Sequence, residues 1–404
     1  MPRREKTQPL FPEFIIMMAL TMSLVALAID TMLPAHAVIG QELGVANIND
    51  TQFLVYTLFI GLGFGQIIFG PLADSKGRIP ALFAGLGCFL VGTAISLFSN
   101  DFPTMLAGRL LQGVGVAGPR TIAVAIVRDL YKGRKMASVM SFIMTVFILV
   151  PAIAPAIGQG IMLLSGWRSI FWAYIGLALL IALWFAFRQP ETLKPAYRQP
   201  LDMRTLGSNI LVVVRHPVTM GYTMAAALIS GAFIGFLATA QQILQVQYAL
   251  GVKFPLYFAL LALCVGTSQL VNGNIVMRFG MRPLAKTAAI AISIVAALIG
   301  LAAWHWQGHP PLVVTMAGLM ALLLCIGFMF GNLNALAMEP MGEIAATAAA
   351  IIGAASTLIS AILGVAAGSL YNGTLFPLAG SFLVLGTLTA IVIAVTAKYT
   401  NYSG

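Results

Sequence analysis

Long apolar runs, each about the length of a bilayer-crossing helix and each ended by a few polar residues, dominate the pattern of the chain. Twelve can be placed, at about 14–37, 52–72, 80–98, 103–127, 137–163, 168–187, 217–244, 254–275, 283–304, 311–335, 344–370 and 374–397. A run of about 20 apolar residues spans the hydrocarbon core as a helix, because a helix satisfies its backbone donors and acceptors within the segment. The pattern therefore predicts an all-α membrane protein of twelve transmembrane helices. Only short loops are left over, which speaks against a soluble catalytic domain. The first run is too long for a removable signal, holds Asp30 and lacks a small-residue cleavage site.

The polar breaks are uneven. The longest runs from Gln189 to His216 and contains Pro190, Pro195 and Pro200, which reads as a linker. It divides the chain into an N-terminal six-helix bundle (1–188), a cytoplasmic linker (189–216) and a C-terminal six-helix bundle (217–404). A repeat supports the division. Gly70, Gly77 and Pro80 follow the second run at the same spacing as Gly273, Gly280 and Pro283 after the eighth, offset by about half the chain. Two six-helix pseudo-repeats in the same orientation are the plan of parallel-repeat transporters. Asp74 in the first copy is replaced by Met277 in the second.

Composition agrees with the pattern. Hydrophobic residues make up 60% and charged residues 8% of the chain, against roughly 25% charged in soluble proteins. The net charge of +10 suggests nucleic acid only until the charges are located. With the N-terminus inside, eighteen of the 22 Lys and Arg fall on the cytoplasmic side, Arg3, Arg4 and Lys6 among them; Arg168 and Lys253 lie opposite. This is the positive-inside pattern, with both termini cytoplasmic and a bacterial inner membrane as the expected location; nucleic acid is excluded as a partner. Cys88, Cys264 and Cys325 are far apart within runs and read as small hydrophobes. His36, His216, His305 and His309 lie at run ends without metal-ligand spacing, and there is no phosphate-binding glycine loop. No metal, cofactor or ATP is expected.

Ionisable groups inside the runs carry the most information, since burying charge in hydrocarbon costs several kcal/mol. One carboxylate is deep, Asp30, together with two cations on the fourth run, Arg109 and Arg120. Asp30 lies roughly 24 Å along its outward-running helix, and Arg109 about six residues from the outer end of an inward-running one, so both fall in the outer half at similar height. Gln112 is one turn from Arg109, and Arg120 lies three turns nearer the cytoplasm on the same face. Desolvation and a nearby guanidinium act oppositely on a carboxylate, and a guanidinium stays charged. Asp30 is therefore the candidate proton carrier and Arg109 its tuner. The plainer alternative is a buried pair that only fixes helix packing.

At these residues the chain resembles the major facilitator superfamily. Gly70-Pro-Leu-Ala-Asp74-Ser-Lys-Gly77-Arg78 is similar to that family's loop between helices two and three. Arg109-Leu-Leu-Gln112-Gly113 is similar to the helix-four motif of its proton-driven members. Pro151-Ala-Ile-Ala-Pro155-Ala-Ile-Gly158-Gln-Gly160 resembles the helix-five motif associated with exporters, in the form of the Bcr/CflA drug-resistance subfamily. Asp30-Thr-Met-Leu-Pro34 and Arg128-Asp129 resemble the same subfamily. The resemblance covers essentially the whole chain. It implies the major facilitator fold, alternating access, and a cavity lined mainly by helices one, four, seven and ten.

The resemblance also assigns parts. Asp30 and Arg109 match the family's helix-one carboxylate and helix-four arginine, and Gly70, Asp74, Gly77 and Arg78 its gating loop. Some relatives carry a second helix-one acid where this chain has Met22, which counts against strongly cationic cargo. Arg120 adds positive charge and favours neutral or weakly anionic cargo. Met22, Met144, Phe147, Phe233, Phe236, Phe328 and Asn332 lie on runs expected to face or flank a pocket, where Met and aromatic surface suits promiscuous binding. Each could equally be packing or lipid-facing filler.

The expected function is proton-coupled export of small amphiphilic drugs or antibiotics by a monomer in the lipid bilayer, driven by the proton gradient. Export of an endogenous metabolite, such as a siderophore or sugar, is the alternative. A membrane receptor or embedded enzyme is a weaker reading: no nucleophile or metal cluster sits at one depth, so no enzyme is expected.

Overall fold

The computed structural model describes residues 9–198 and 203–400; Arg3, Arg4, Lys6 and Pro200, used above, lie outside them. Among the described residues, twelve helices are long and apolar enough to cross a membrane. They are labelled α1 (Phe11–Asp30), α2 (Phe53–Lys76), α3 (Arg78–Leu97), α4 (Phe102–Leu130), α5 (Gly133–Ser165) and α6 (Arg168–Arg188) in the N-terminal half. In the C-terminal half they are α7 (Pro217–Ala240), α8 (Phe254–Phe279), α9 (Met281–His305), α10 (Leu312–Met338), α11 (Ala345–Ser369) and α12 (Phe376–Thr400). No strand occurs among the described residues.

The first span is longer than the apolar run suggested. After Asp30 a turn leads into a 3-10 segment, Leu33–Ala35, and helix resumes over His36–Glu42. Pro34 sits in that segment, where its missing N–H and fixed φ favour a tightened turn over continued α-helix. His36 is therefore enclosed within the span rather than at its end. The stretch read as a polar linker also forms helix, at Met203–Arg215. Ile210, Leu211, Val212 and Val214 are exposed there while Val213 is buried.

The chain forms two compact units. One takes residues up to Val38 and Thr57–Met203, the other Ile39–Tyr56 and residues from Arg204 onward. In the first unit α4 is closely embraced. A Cβ on Gly92 of α3 would come 2.4 Å from the backbone nitrogen of Gln112, and one on Gly113 would come 2.1 Å from the carbonyl oxygen of Leu58 on α2. Glycines let membrane helices approach backbone to backbone, where dispersion drives packing. The N-terminus of α4 is fixed by Asp101, whose carboxylate accepts from the Thr104 backbone N–H at 2.8 Å. In the second unit α7 packs on α11 and α12. Past Ala240 it widens into a π-helical turn, Gln241–Gln247.

The sequence repeat has a conformational cause. Gly77 (φ 106°) and Gly280 (φ 81°) each immediately precede a helix, α3 and α9. Both lie in the left-handed region that an L side chain rarely adopts. At Gly77 the demand is double, because a Cβ would also meet the Glu191 carboxylate at 2.5 Å.

Candidate functional site

Asp30 closes the last turn of α1 and is buried; it is the one buried Asp or Glu among the described residues. Its carboxylate takes no hydrogen bond and no ion pair among them. The neighbouring turn is held from α6. The Tyr174 hydroxyl bonds Thr31 Oγ1 and lies 3.2 Å from the Leu27 carbonyl oxygen, which also accepts from Thr31 Oγ1 at 2.6 Å. Tyr174 meets Phe171 edge to face (5.8 Å between centroids) and lies 6.3 Å from Phe89, so its ring is locked while its hydroxyl reaches the polar turn. Asp30 and Arg109 are both within electrostatic reach of Tyr174.

Arg109 and Gln112 are fully buried, one turn apart as their spacing indicated. Arg109 Nη1 donates to Gln112 Oε1 at 2.9 Å, and Gln112 Nε2 donates to Thr93 Oγ1 at 2.8 Å. Thr93 in turn donates to the Phe89 carbonyl at 2.7 Å. A relay thus runs from α4 to α3, and Gln112 aims the guanidinium. The direct Asp30–Arg109 pair does not form; the groups share a region without an ion pair. Sequence reasoning missed Tyr174 and Thr93, although a lone tyrosine in the middle of an apolar run was a visible signal. Arg120 is exposed and takes no hydrogen bond or ion pair among the described residues.

A second charged group of the first unit lies where α2 passes into α3. Arg78 is 4% exposed and reaches Asp74 at 2.5 Å and Asp129 at 2.9 Å. Thr192 Oγ1 donates to Asp129 at 3.0 Å. Glu191 accepts from the backbone N–H groups of Arg78 (2.9 Å) and Ile79 (3.1 Å), capping the positive end of α3. Asp74 and Arg78 were read from the loop motif; Glu191, some hundred residues on, was not. Gly70 lies inside α2, six residues before its end, half-buried.

The remaining candidates divide by unit. In the first, Met22 is buried, and Met144 and Phe147 on α5 are half-buried. Helix α5 runs unbroken through Pro151 and Pro155. At Gly158 it touches the α1 turn so closely that a Cβ would come 1.9 Å from the Thr31 carbonyl oxygen, whereas Gly160 faces open space. In the second unit, Phe233 meets Phe330 edge to face at 5.6 Å between centroids. Phe236 lines a small cavity with Thr239, Ala367, Tyr371 and Ser381. The Asn332 amide is engaged by Asn272 (2.9 Å) and the Phe328 carbonyl (2.8 Å), an arrangement that clamps α8 to α10. Cys88, Cys264 and Cys325 are free thiols. No cluster of three His, Cys, Asp or Glu suited to a metal occurs among the described residues.

Twelve apolar helices and charge sunk inside one of two units define a polytopic transporter. The chain belongs to the Major Facilitator Superfamily, whose sequence profile matches residues 13–365. It is 29% identical over 398 residues to the bicyclomycin resistance protein homolog of Haemophilus influenzae, covering 96% of this chain and 95% of that one. It is 26% identical over 344 residues to the multidrug resistance protein MdtL of Escherichia fergusonii, covering 81% and 84%. Among solved structures, the xylose transporter XylE of E. coli, in a partially occluded inward open conformation, superposes with a TM-score of 0.72 at 16% identity, covering 94% and 96%. The expected all-α major facilitator fold and the resemblance to drug-resistance transporters are thereby established. The family and the fold are those of transporters of small molecules in a membrane, not of enzymes.

Proposed function

We propose that this protein is a proton-coupled exporter of small, uncharged or weakly charged amphiphilic drugs, working by alternating access in a bacterial inner membrane with both termini cytoplasmic. One observation carries the reading: Asp30 is buried within a span, with no hydrogen-bond or ion-pair partner among the described residues. A carboxylate kept at such cost is a functional group by default, and one that no partner holds can exchange a proton when its surroundings change. Arg109, aimed by Gln112, supplies the opposing field. The energy source is the proton gradient, without cofactor.

Cargo charge follows from the same inventory. An exposed guanidinium in the middle of a membrane helix, as at Arg120, is tolerable against water and not against lipid. Arg120 therefore lines an aqueous path and makes it hostile to permanent cations. The relatives named for bicyclomycin and multidrug resistance support antibiotics as substrates. Drug-dependent proton release from membrane vesicles tests the coupling. Asp30→Asn is expected to insert, fold and bind drug but release no protons, and full proton release by that variant would overturn the assignment.

A further inference from the structure

Two polar groups that the coupling reading leaves unused lie on the elements that flank Asp30. His36, which begins the helical stretch after the 3-10 segment, is 1% exposed, and its Nε2 has no hydrogen-bond partner. Gln159 on α5 is 6% exposed, and its Oε1 also has none. The two elements that carry them are brought together by backbone geometry. Helix α5 packs against Leu33–Ala35, the segment that joins Asp30 to His36. Its closest approach is at Gly158, next to Gln159, against Thr31, next to Asp30.

Three buried polar side chains, all lacking a hydrogen-bond partner, thus lie on two elements that pack together where the first span runs from Asp30 toward its end. A buried donor or acceptor without a partner costs about 1–3 kcal/mol, and such groups are ordinarily served by bridging water. Six residues of helical chain advance roughly 9 Å, a distance that two or three hydrogen-bonded links cover. The surroundings contain few competing charges. Arg109 on α4 acts electrostatically on His36, and Tyr174 reaches in from α6. Asp30 lies on the same span, and α5 carries no ionisable residue after Arg134 and Lys135 in its first turn.

We propose that His36 and Gln159 form the proton path between Asp30 and the membrane face at which the first span ends. This rests on the coupling role assigned to Asp30. A water-borne proton is taken up by the lone pair of the neutral imidazole. The resulting imidazolium passes a proton through water held by the Gln159 amide to the Asp30 carboxylate, and the imidazole is restored. Only H⁺ moves, and the sequence reverses on release. An imidazole suits this step because one ring nitrogen can accept a proton while the other gives one up. Arg109 supplies a like charge nearby, so the proton is passed on rather than held.

The test is gradient-driven drug transport in proteoliposomes, recorded from about pH 5.5 to 8.5, with drug binding measured in detergent. For His36→Gln we expect drug binding like that of the wild type and a roughly tenfold lower gradient-driven rate across that range. For Gln159→Leu we expect a smaller fall in rate, again with drug binding retained. A wild-type rate and pH profile in His36→Gln would overturn the path. So would loss of drug binding in step with loss of rate in both variants, since that marks a packing role. Asp30→Asn is run alongside: wild-type gradient-driven transport there would remove the coupling role itself, whatever His36 does.

Discussion

The first unit treats its two groups of buried charge in opposite ways. Around Arg78, two carboxylates meet the guanidinium and a third, Glu191, caps the helix that begins there. Around Asp30, the carboxylate is left without a bond, and the Arg109 guanidinium donates to Gln112 on its own helix. Removing a charge from water costs several kcal/mol, and paired geometry offsets that cost. At Arg78 two carboxylates supply that offset. At Asp30 it is withheld, so the protonation state can change when the surroundings do. The contrast separates charge that holds a structure from charge that works.

Substitutions on either side should give opposite signatures. The largest effect is expected from Asp30→Asn, with proton release abolished and thermal stability in detergent unchanged or raised; a marked loss of stability would place Asp30 with the structural group. Next, Arg78→Ala should lower stability by on the order of 3 kcal/mol by leaving Asp129 and Asp74 without their cation, read as reduced melting temperature and yield. Equal stability of wild type and variant would mean the cluster is not structural. Arg109→Lys keeps the charge but not the planar fork that Gln112 engages. We expect gradient-driven export to fall about tenfold with little change in melting temperature.

A milder shift is expected in cargo. Susceptibility panels in an efflux-deficient host should show resistance to neutral or zwitterionic antibiotics exceeding that to quaternary cations, and Met22→Glu should move the profile toward cations. Strong wild-type resistance to quaternary cations alone would contradict this. The smallest effect concerns Asp101. The Thr104 backbone N–H holds its carboxylate below the usual aspartate value. Its stabilisation is complete above the ordinary aspartate range and is lost as pH falls through the lowered value. Asp101→Ala should therefore show a slight stability loss at neutral pH and a shallower fall in acid, measured by thermal unfolding.

Much of this was legible in the residues. Hydrocarbon thickness dictates span length, so the twelve helices followed from hydropathy, and the spacing of Arg109 and Gln112 placed them one turn apart. The glycine and proline repeat marked two equivalent positions, and the left-handed φ that Gly77 and Gly280 share came to light only in the structure. What was hidden depends on long-range approach. Tyr174 meets Thr31 across 143 positions, and Glu191 reaches the α3 N-terminus across 113. The π turn after Ala240 and the burial of His36 depend on neighbours that no local period announces. The helix at 203–215 was obscured by the prolines and polar residues flanking it.

The residues 39–56 have a bearing on how the molecule is made. They belong to the second unit although they are synthesised among the first helices. Gln52 Nε2 donates to Gln242 Oε1 at 2.8 Å, a partner translated 190 residues later. Gln242 Nε2 in turn donates to the Ile48 carbonyl at 3.0 Å, and Asn49 Nδ2 to that of Tyr371 at 2.7 Å. Ribosomal order therefore delivers part of the second unit long before the rest, and those amides wait for their partners while α3 to α6 are being inserted. A C-terminal half expressed alone would lack the early strip and expose the carbonyl of Tyr371 and the amide of Gln242. Supplying residues 39–56 in trans should be needed for it to mature.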